Sequence, residues 1–487
     1  MNKDYKTGIN QNAAASHANQ TKPGHYGWIL FVYCLGLLTG GLYVGMIAPV
    51  RTVVQAQFGL DDSTGIWMIN IYTLFYAALI PVIGKKADRY GRNFIFSICV
   101  MIFMAGAVIC ALSSYAGGFG LLLTGRVVQA AGAGGMIPVA NAEIGTTFPP
   151  DKRGFALGIA AGVTGIANVL GAGVGSAVVG FAGQENWAVT FFIAVPVCIA
   201  VFAGSRVFLR SSVRSVPAKM DRSGSILLII LILFLLLGLK ELDFFRLAGS
   251  IAQFKVWGPL AGAIVCAVVF FFAERRAEDP VFNMEFLESR PVIITMILSF
   301  LIGCVIVAMM LIPEYAEFIM DAPAGSGGYY MLILGVTSMV GPPLGGKLID
   351  RFGPKKVLLF GLIVMTTGYC YLALFVSAAP SAPALISGLA LVGLGMGFAM
   401  GTPTNYMILD NVGPEKSTSA IATITLIRQM GTTIAPAVYV GFISAGGGVK
   451  GYRQMLLCVA VFSLIAAAFT LFYKSSGNSS PEGHRSP

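Results

Sequence analysis

Long apolar runs, separated by short polar, Gly- or Pro-bearing breaks, occupy the chain from Tyr26 to Tyr473. A helix needs about 20 mostly apolar residues, each rising about 1.5 Å, to cross a hydrocarbon core of roughly 30 Å. Fourteen windows meet that demand. The first six are Tyr26 to Val50, Gly65 to Ile83, Phe94 to Leu112, Phe119 to Ile144, Phe155 to Phe181 and Ala188 to Ser205. Gly224 to Leu239, the shortest, and Val256 to Ala273 follow. The last six are Pro291 to Ile312, Tyr329 to Gly346, Val357 to Val376, Leu385 to Leu409, Ala420 to Ser444 and Met455 to Tyr473. The polar stretch from Met1 to His25 lacks the apolar core and small-residue cleavage site of a signal peptide, so the first window is expected to stay in the mature protein.

Composition sharpens this picture. Of 487 residues, 56% are hydrophobic and 11% charged, less than half the usual charged share of about 25%, which excludes an ordinary soluble protein. In a soluble chain a net charge of +10 would raise nucleic acid as a partner. Here the partner is a lipid bilayer, and no nucleic acid is expected. With both termini inside, only Arg51, Lys240, Arg246, Lys255, Lys450 and Arg453 fall outside, Arg126 and Arg428 fall within the membrane, and the remaining 24 of 32 basic residues face the cytoplasm. The positive-inside bias therefore predicts cytoplasmic termini and an even number of spans. All eight cysteines lie in apolar runs without the short spacing of a metal clip, so neither disulfides nor a metal or cofactor is expected.

An internal repeat organises the windows. Gly84-Lys-Lys-Ala-Asp88-Arg89-Tyr-Gly91-Arg92 recurs, offset by 262 residues, as Gly346-Lys-Leu-Ile-Asp350-Arg351-Phe-Gly353-Pro354. Pro150-Asp151-Lys152 recurs as Pro414-Glu415-Lys416 at an offset of 264. Two parallel copies of a six-span unit follow, with two spans inserted between them. The expected division is a tail (1–25), a six-helix bundle (26–210), a linker with two inserted helices (211–290), a second six-helix bundle (291–474) and a tail (475–487).

At these residues the chain resembles the major facilitator superfamily, in particular its fourteen-span branch of drug:proton antiporters. The Gly84 to Arg92 loop looks like the superfamily's loop between spans 2 and 3. Trp67 with Tyr72 looks like its second span, and Arg126-Val-Val-Gln129-Ala-Ala-Gly132-Ala-Gly134 like its fourth-span Arg motif. Gly162, Gly165, Gly171 and Gly175 resemble the fifth-span antiporter motif, although Gly171-Ala172 stands where the branch has Gly-Pro and the first span carries no carboxylate. The resemblance implies an all-α membrane protein of the major facilitator fold with 14 transmembrane spans, monomeric, in a bacterial plasma membrane.

The charged residues suggest roles. Asp88, Arg89, Gly91 and Arg92, with Asp350, Arg351 and Gly353 in the second copy, form a candidate conformational latch. Asp88 and Arg92 are four apart and suited to pairing, Gly91 admits the positive φ of a tight turn, and a carboxylate at that place suits the N-terminus of a neighbouring helix. Arg126 and Arg428 lie within apolar windows, where a charge costs about 3 kcal/mol or more unless it faces water or a partner. With Gln129 and Gln429 they are candidates for a substrate or proton pathway. Carboxylates able to exchange protons are scarce: Glu143, Asp410, and the pair Glu314 and Glu317, which shares a helical face beside Tyr315, Met309 and Met310.

No G-x-x-x-x-G-K-[ST] loop is present, so uphill transport would draw on an ion gradient. The expected function is proton-coupled efflux of amphipathic organic compounds or drugs by alternating access. The alternative is an organic anion, such as a carboxylated sterol or aromatic acid, held by Arg126 and Arg428. A membrane sensor without transport is a remote third, and catalysis is not expected, because the three histidines lie toward the termini and no ligand cluster accompanies them.

Overall fold

The computed structural model describes residues 26–60, 62–65, 67–116, 118–209, 222–241, 249, 251–274, 284–321, 327–400 and 402–474. Both expected tails and much of the linker at 210–221 and 275–283 lie outside them. Among the described residues the fold is all-helical.

The first half comprises α1 (Tyr26–Gly45), α2 (Ile47–Phe58), α3 (Trp67–Tyr90), α4 (Arg92–Ala116), α5 (Gly118–Thr147), α6 (Pro150–Ala182) and α7 (Ala194–Phe208). Between the halves stand α8 (Arg222–Lys240) and α9 (Phe254–Glu274). The second half comprises α10 (Arg290–Val307), α11 (Ile312–Met320), α12 (Gly327–Phe352), α13 (Pro354–Tyr371), α14 (Ala382–Ala399), α15 (Thr402–Leu409), α16 (Ser417–Gly446) and α17 (Gly448–Phe472).

Each of the fourteen windows is carried by helix over its described residues, and among the described residues ten helical stretches are long and apolar enough to cross a bilayer. The other four are α5, α6 and α16, whose many Gly, Ala and Thr residues dilute their apolar character, and α8, which is short. The ninth window ends differently from a plain span. A 3₁₀ turn at Ala308–Leu311 and Pro313 start a separate helix, α11, that carries Glu314 and Glu317. Pro lacks a backbone donor and is tolerated in a first helical turn.

Two large apolar cores form, the first lying mainly in the first half but reaching Val292, Met296, Ile421 and Ile424 of the second, and the other lying in the second half. The first gathers Tyr33, Phe96, Phe103, Trp187 and Phe191, and the second Tyr315, Tyr369, Leu372 and Tyr439. A third, smaller core lies between the halves. There Leu228, Ile232 and Leu236 of α8 pack on Leu74, Ala77 and Ala78 of α3, with Leu426 and Met430 of α16 against them. The pair α8 and α9 is thus layered: α8 covers the seam of α3 and α16, whereas α9 packs chiefly on α8. On α9, Ile264 is 67% exposed, but Leu236 on α8 is 1% exposed. Leu236→Ala should therefore destabilise the purified protein by about 2 kcal/mol or more, read as a fall in its unfolding temperature, and Ile264→Ala should leave that temperature unchanged.

Candidate functional site

The repeated loops end α3 and α12 in the same way. Gly91 takes φ 100° and Gly353 φ 83°, a left-handed region that favours glycine, so each chain reverses within one residue and the next helix begins at Arg92 or Pro354. Each Gly N–H closes its helix, Gly91 on the Ala87 carbonyl at 3.0 Å and Gly353 on Ile349 at 2.8 Å. These turns hold Asp88 and Asp350 on the last helical turn, facing the opposite half.

The Asp88 carboxylate accepts the Thr418 N–H at 3.1 Å and the Ser419 N–H and hydroxyl at 2.7 and 2.8 Å. Both donors belong to the first turn of α16, where helix N–H groups lack internal partners and the helix dipole favours an anion. Arg92 closes the group. It donates to Asp88 through Nε at 3.2 Å and Nη2 at 3.1 Å, to the Thr418 hydroxyl at 2.8 Å and to the Thr146 hydroxyl at 2.9 Å, and it reaches the Pro414 carbonyl. Its other side faces Glu143 on α5 at 3.6 Å. Asp88, Arg92 and Glu143 are all buried, so the charges compensate one another where water cannot.

Asp350 makes the symmetric contact with fewer bonds. It accepts the Gly154 N–H at 2.7 Å and the Phe155 N–H at 3.0 Å in the early turns of α6. With Pro354 in place of Arg92, no guanidinium follows it at that position. Gly84 and Gly346 let these helices meet. A Cβ at Gly84 would stand 2.7 Å from the Ala422 Cβ, and one at Gly346 would overlap the Gly154 carbonyl and lie 2.9 Å from the Phe155 Cα. Arg89 and Arg351 lie over their neighbours Tyr90 and Phe352, at 5.5 and 5.2 Å.

The interior arginines sit elsewhere. Arg126, 1% exposed, donates to the Met68 carbonyl at 3.1 Å and the Gln129 amide oxygen at 2.6 Å, and its guanidinium lies 4.1 Å from the Tyr72 ring centroid. Arg428 on α16 is half-buried, next to Gln429, and among the described residues it has no carboxylate partner. The acidic pair is not brought to either arginine. Glu314 is exposed, Glu317 half-buried, and both face Tyr452 in the first turns of α17. Tyr315 is fully buried in the second core, with its hydroxyl 3.1 Å from the Leu372 carbonyl and from Ser377 Oγ. No group of metal-ligating side chains is present among the described residues.

Sequence reasoning did not name Thr418, Ser419, Gly154 and Phe155, yet a signal for them exists. They follow Pro414 and Pro150 by four and five residues and preserve the 264-residue offset of those loops. The pairing of Glu143 with Arg92 left no such trace.

A family model described as Major Facilitator Superfamily matches residues 29–436 and 328–486. An uncharacterised MFS-type transporter of Bacillus subtilis, YfiU, is 32% identical over 423 residues, covering 86% of this chain and 80% of that protein. The riboflavin transporter RibZ of Clostridioides difficile is 25% identical, covering 86% and 88%. Multidrug resistance protein 3 of Bacillus subtilis is 26% identical, covering 83% and 78%. Among solved structures, the human organic anion transporter MFSD10 superposes with a TM-score of 0.68 at 12% identity over 92% of this chain and 100% of that one, a likeness of fold alone.

Proposed function

Because the chain belongs to the Major Facilitator Superfamily, whose members are transporters and not enzymes, we propose that this multi-pass membrane protein is a fourteen-span, proton-coupled exporter of amphipathic organic compounds. Both termini are cytoplasmic, the units are 26–210 and 291–474, and 211–290 carries the inserted spans. One observation carries the reading: two symmetric carboxylate contacts, Asp88 on α16 and Asp350 on α6, join the halves at one end. That end is the cytoplasmic one by the positive-inside rule, so the conformer is closed to the cytoplasm.

Alternating access then requires these contacts to break together while the halves rock, exposing a shared interior site to the other side. Asp88, Arg89, Gly91, Arg92, Asp350, Arg351 and Gly353 make up the latch, and Arg126, Gln129, Arg428 and Gln429 line the pathway. Glu314, Glu317 and Tyr315 are left with an outer, proton-handling or supporting role. Relatives at 25–26% identity named for multidrug resistance and riboflavin transport support organic cargo. The alternative cargo, an organic anion, is supported by Arg428 having no carboxylate partner among the described residues.

Proteoliposomes holding an imposed pH gradient test the reading. Ethidium should move only while the gradient stands, and adding nigericin should stop it. Movement that ignores nigericin would remove proton coupling, and no movement of any organic probe would remove transport.

A further inference from the structure

Helix α8 touches both halves, and its two contacts are built differently. Leu228, Ile232 and Leu236 recur every four residues and form one stripe along α8, all of them buried. In the same core stand Leu74, Ala77, Ala78 and Val82 of α3, also buried, with Ala77 and Ala78 fully enclosed. Small side chains let two helices approach closely, and such close packing fixes their register. The second half is held more loosely. From α16 the residues of this core are Leu426 and Met430, and both are only partly buried. Methionine, with its unbranched thioether, re-forms contacts on an irregular surface at little cost.

Helices α8 and α9 move as one body. A Cβ at Gly238 of α8 would lie 2.7 Å from the Leu260 side chain and 3.2 Å from its backbone nitrogen, and one at Gly262 of α9 would lie 3.3 Å from the Phe234 ring. Phe270 of α9 is buried in the same core as the α8 stripe. The seam beneath α8 is the one that the Asp88 latch closes: Asp88 on α3 holds the first turn of α16, and Gly84 abuts Ala422. When the halves part at this end, α3 leaves α16, and α8 cannot keep both contacts.

We propose that α8 and α9 are carried by the first half as a rigid extension of α3, and that the contact of α8 with Leu426 and Met430 is a sliding surface of the transport cycle. Packed helices accommodate such motion by small shear displacements, which the loosely held contact allows and the enclosed one resists. A cover that travels with α3 also keeps lipid out of the seam while α3 and α16 separate. This carriage rests on the alternating-access reading above and adds which half owns the pair.

Spin-label distances on the full-length protein in nanodiscs test it. p-Acetylphenylalanine, labelled through its ketone so that the eight native cysteines remain in place, is introduced pairwise at Lys86 on α3, Ile226 on α8 and Glu415 just before α16, three exposed positions outside the latch residues. The parent is compared with Asp88→Asn, and with Gly346→Ala as a second way of opening the same end. The distance from Lys86 to Glu415 reports the halves and should lengthen in the variants. The distance from Ile226 to Lys86 should stay at its parental value, and that from Ile226 to Glu415 should lengthen by about as much as the first. Labelled proteins are compared only where size-exclusion profiles match the parent, and Ser223, also exposed on α8, replaces Ile226 if its label disturbs the fold. A constant distance from Ile226 to Glu415 with a changed distance to Lys86 would give the pair to the second half, and a change in both would make α8 independent of either. Each of these results overturns the proposal, as does a distance from Lys86 to Glu415 that is the same in the parent and both variants. Ethidium flux by the parent in proteoliposomes separates the two readings. Gradient-driven flux together with any of those contrary distances counts against the carriage alone, whereas the expected distances without flux count against transport alone.

Discussion

Asp88→Asn should lower transport by about a hundredfold while the protein still inserts and keeps its size-exclusion profile. The carboxylate accepts three bonds from the first turn of α16 and two from Arg92, all buried. An amide retains one acceptor oxygen and turns an NH₂ toward N–H donors, which leaves Arg92 facing Glu143 without its second partner. Removing one member of such a buried group costs roughly 3 kcal/mol or more, and that loss falls on the conformer closed at this end. A bias of about 3 kcal/mol shifts a two-state ratio by roughly two decades, so the variant should rest open to the cytoplasm. Ala422, fully buried against Gly84 here, reports it. With Ala422→Cys in the Asp88→Asn background, a membrane-impermeant maleimide should label inside-out vesicles faster than in the parent. Parental transport together with unchanged labelling would leave Asp88 as an ordinary charged loop residue. Asp350→Asn, which keeps one acceptor oxygen for its two backbone donors and has no Arg92 equivalent to leave unpaired, should cost about tenfold or less on the same scale of about 1–1.5 kcal/mol.

A single methyl group should do comparable damage at Gly346. In Gly346→Ala the new Cβ would overlap the Gly154 carbonyl oxygen and stand 2.8 Å from its carbon and 2.9 Å from the Phe155 Cα. These are backbone atoms, so no side-chain rotation relieves the contact, and α6 must move away from α12. Asp350 would then lose the N–H groups of Gly154 and Phe155 that its carboxylate holds. Overpacking costs about 1–3 kcal/mol, and the lost hydrogen bonds add to it, so transport should fall about a hundredfold with the same cytoplasmic-open bias. Gly165→Ala on α6 is the control, because nothing lies within 4 Å of its Cβ position. Equal tolerance of both substitutions, read as initial transport rates normalised to protein in the membrane, would mean that α6 and α12 never approach this closely during the cycle.

Helices and the two repeated turns were legible in the sequence because each depends on local terms, whereas the break that separates α10 from α11 was not. About 20 apolar residues suffice to specify a helix that satisfies its own backbone in lipid, and Gly91 and Gly353 are needed for positive φ whatever surrounds them. Duplicated spacing also marked the residues that would matter at the two loops. The family followed from the same motifs, since they are contiguous in the chain. What the tertiary structure alone decided is which residues those motifs meet. Asp88 finds its donors more than 300 residues away, and helical periodicity names the face that must be covered but not its partner. Tyr315 and Arg126 carry equally suggestive sequence contexts, yet the first is consumed by Leu372 and Ser377 in a core and the second by Met68 and Gln129 beside Tyr72. Helices α8 and α9 are equally apolar in sequence, and only packing distinguishes the one that seals the α3 and α16 seam from the one exposed outside it. In a bilayer both lipid and protein offer apolar surroundings, so hydrophobicity says that a helix is inserted, and close packing, a matter of shape between distant segments, says where it rests.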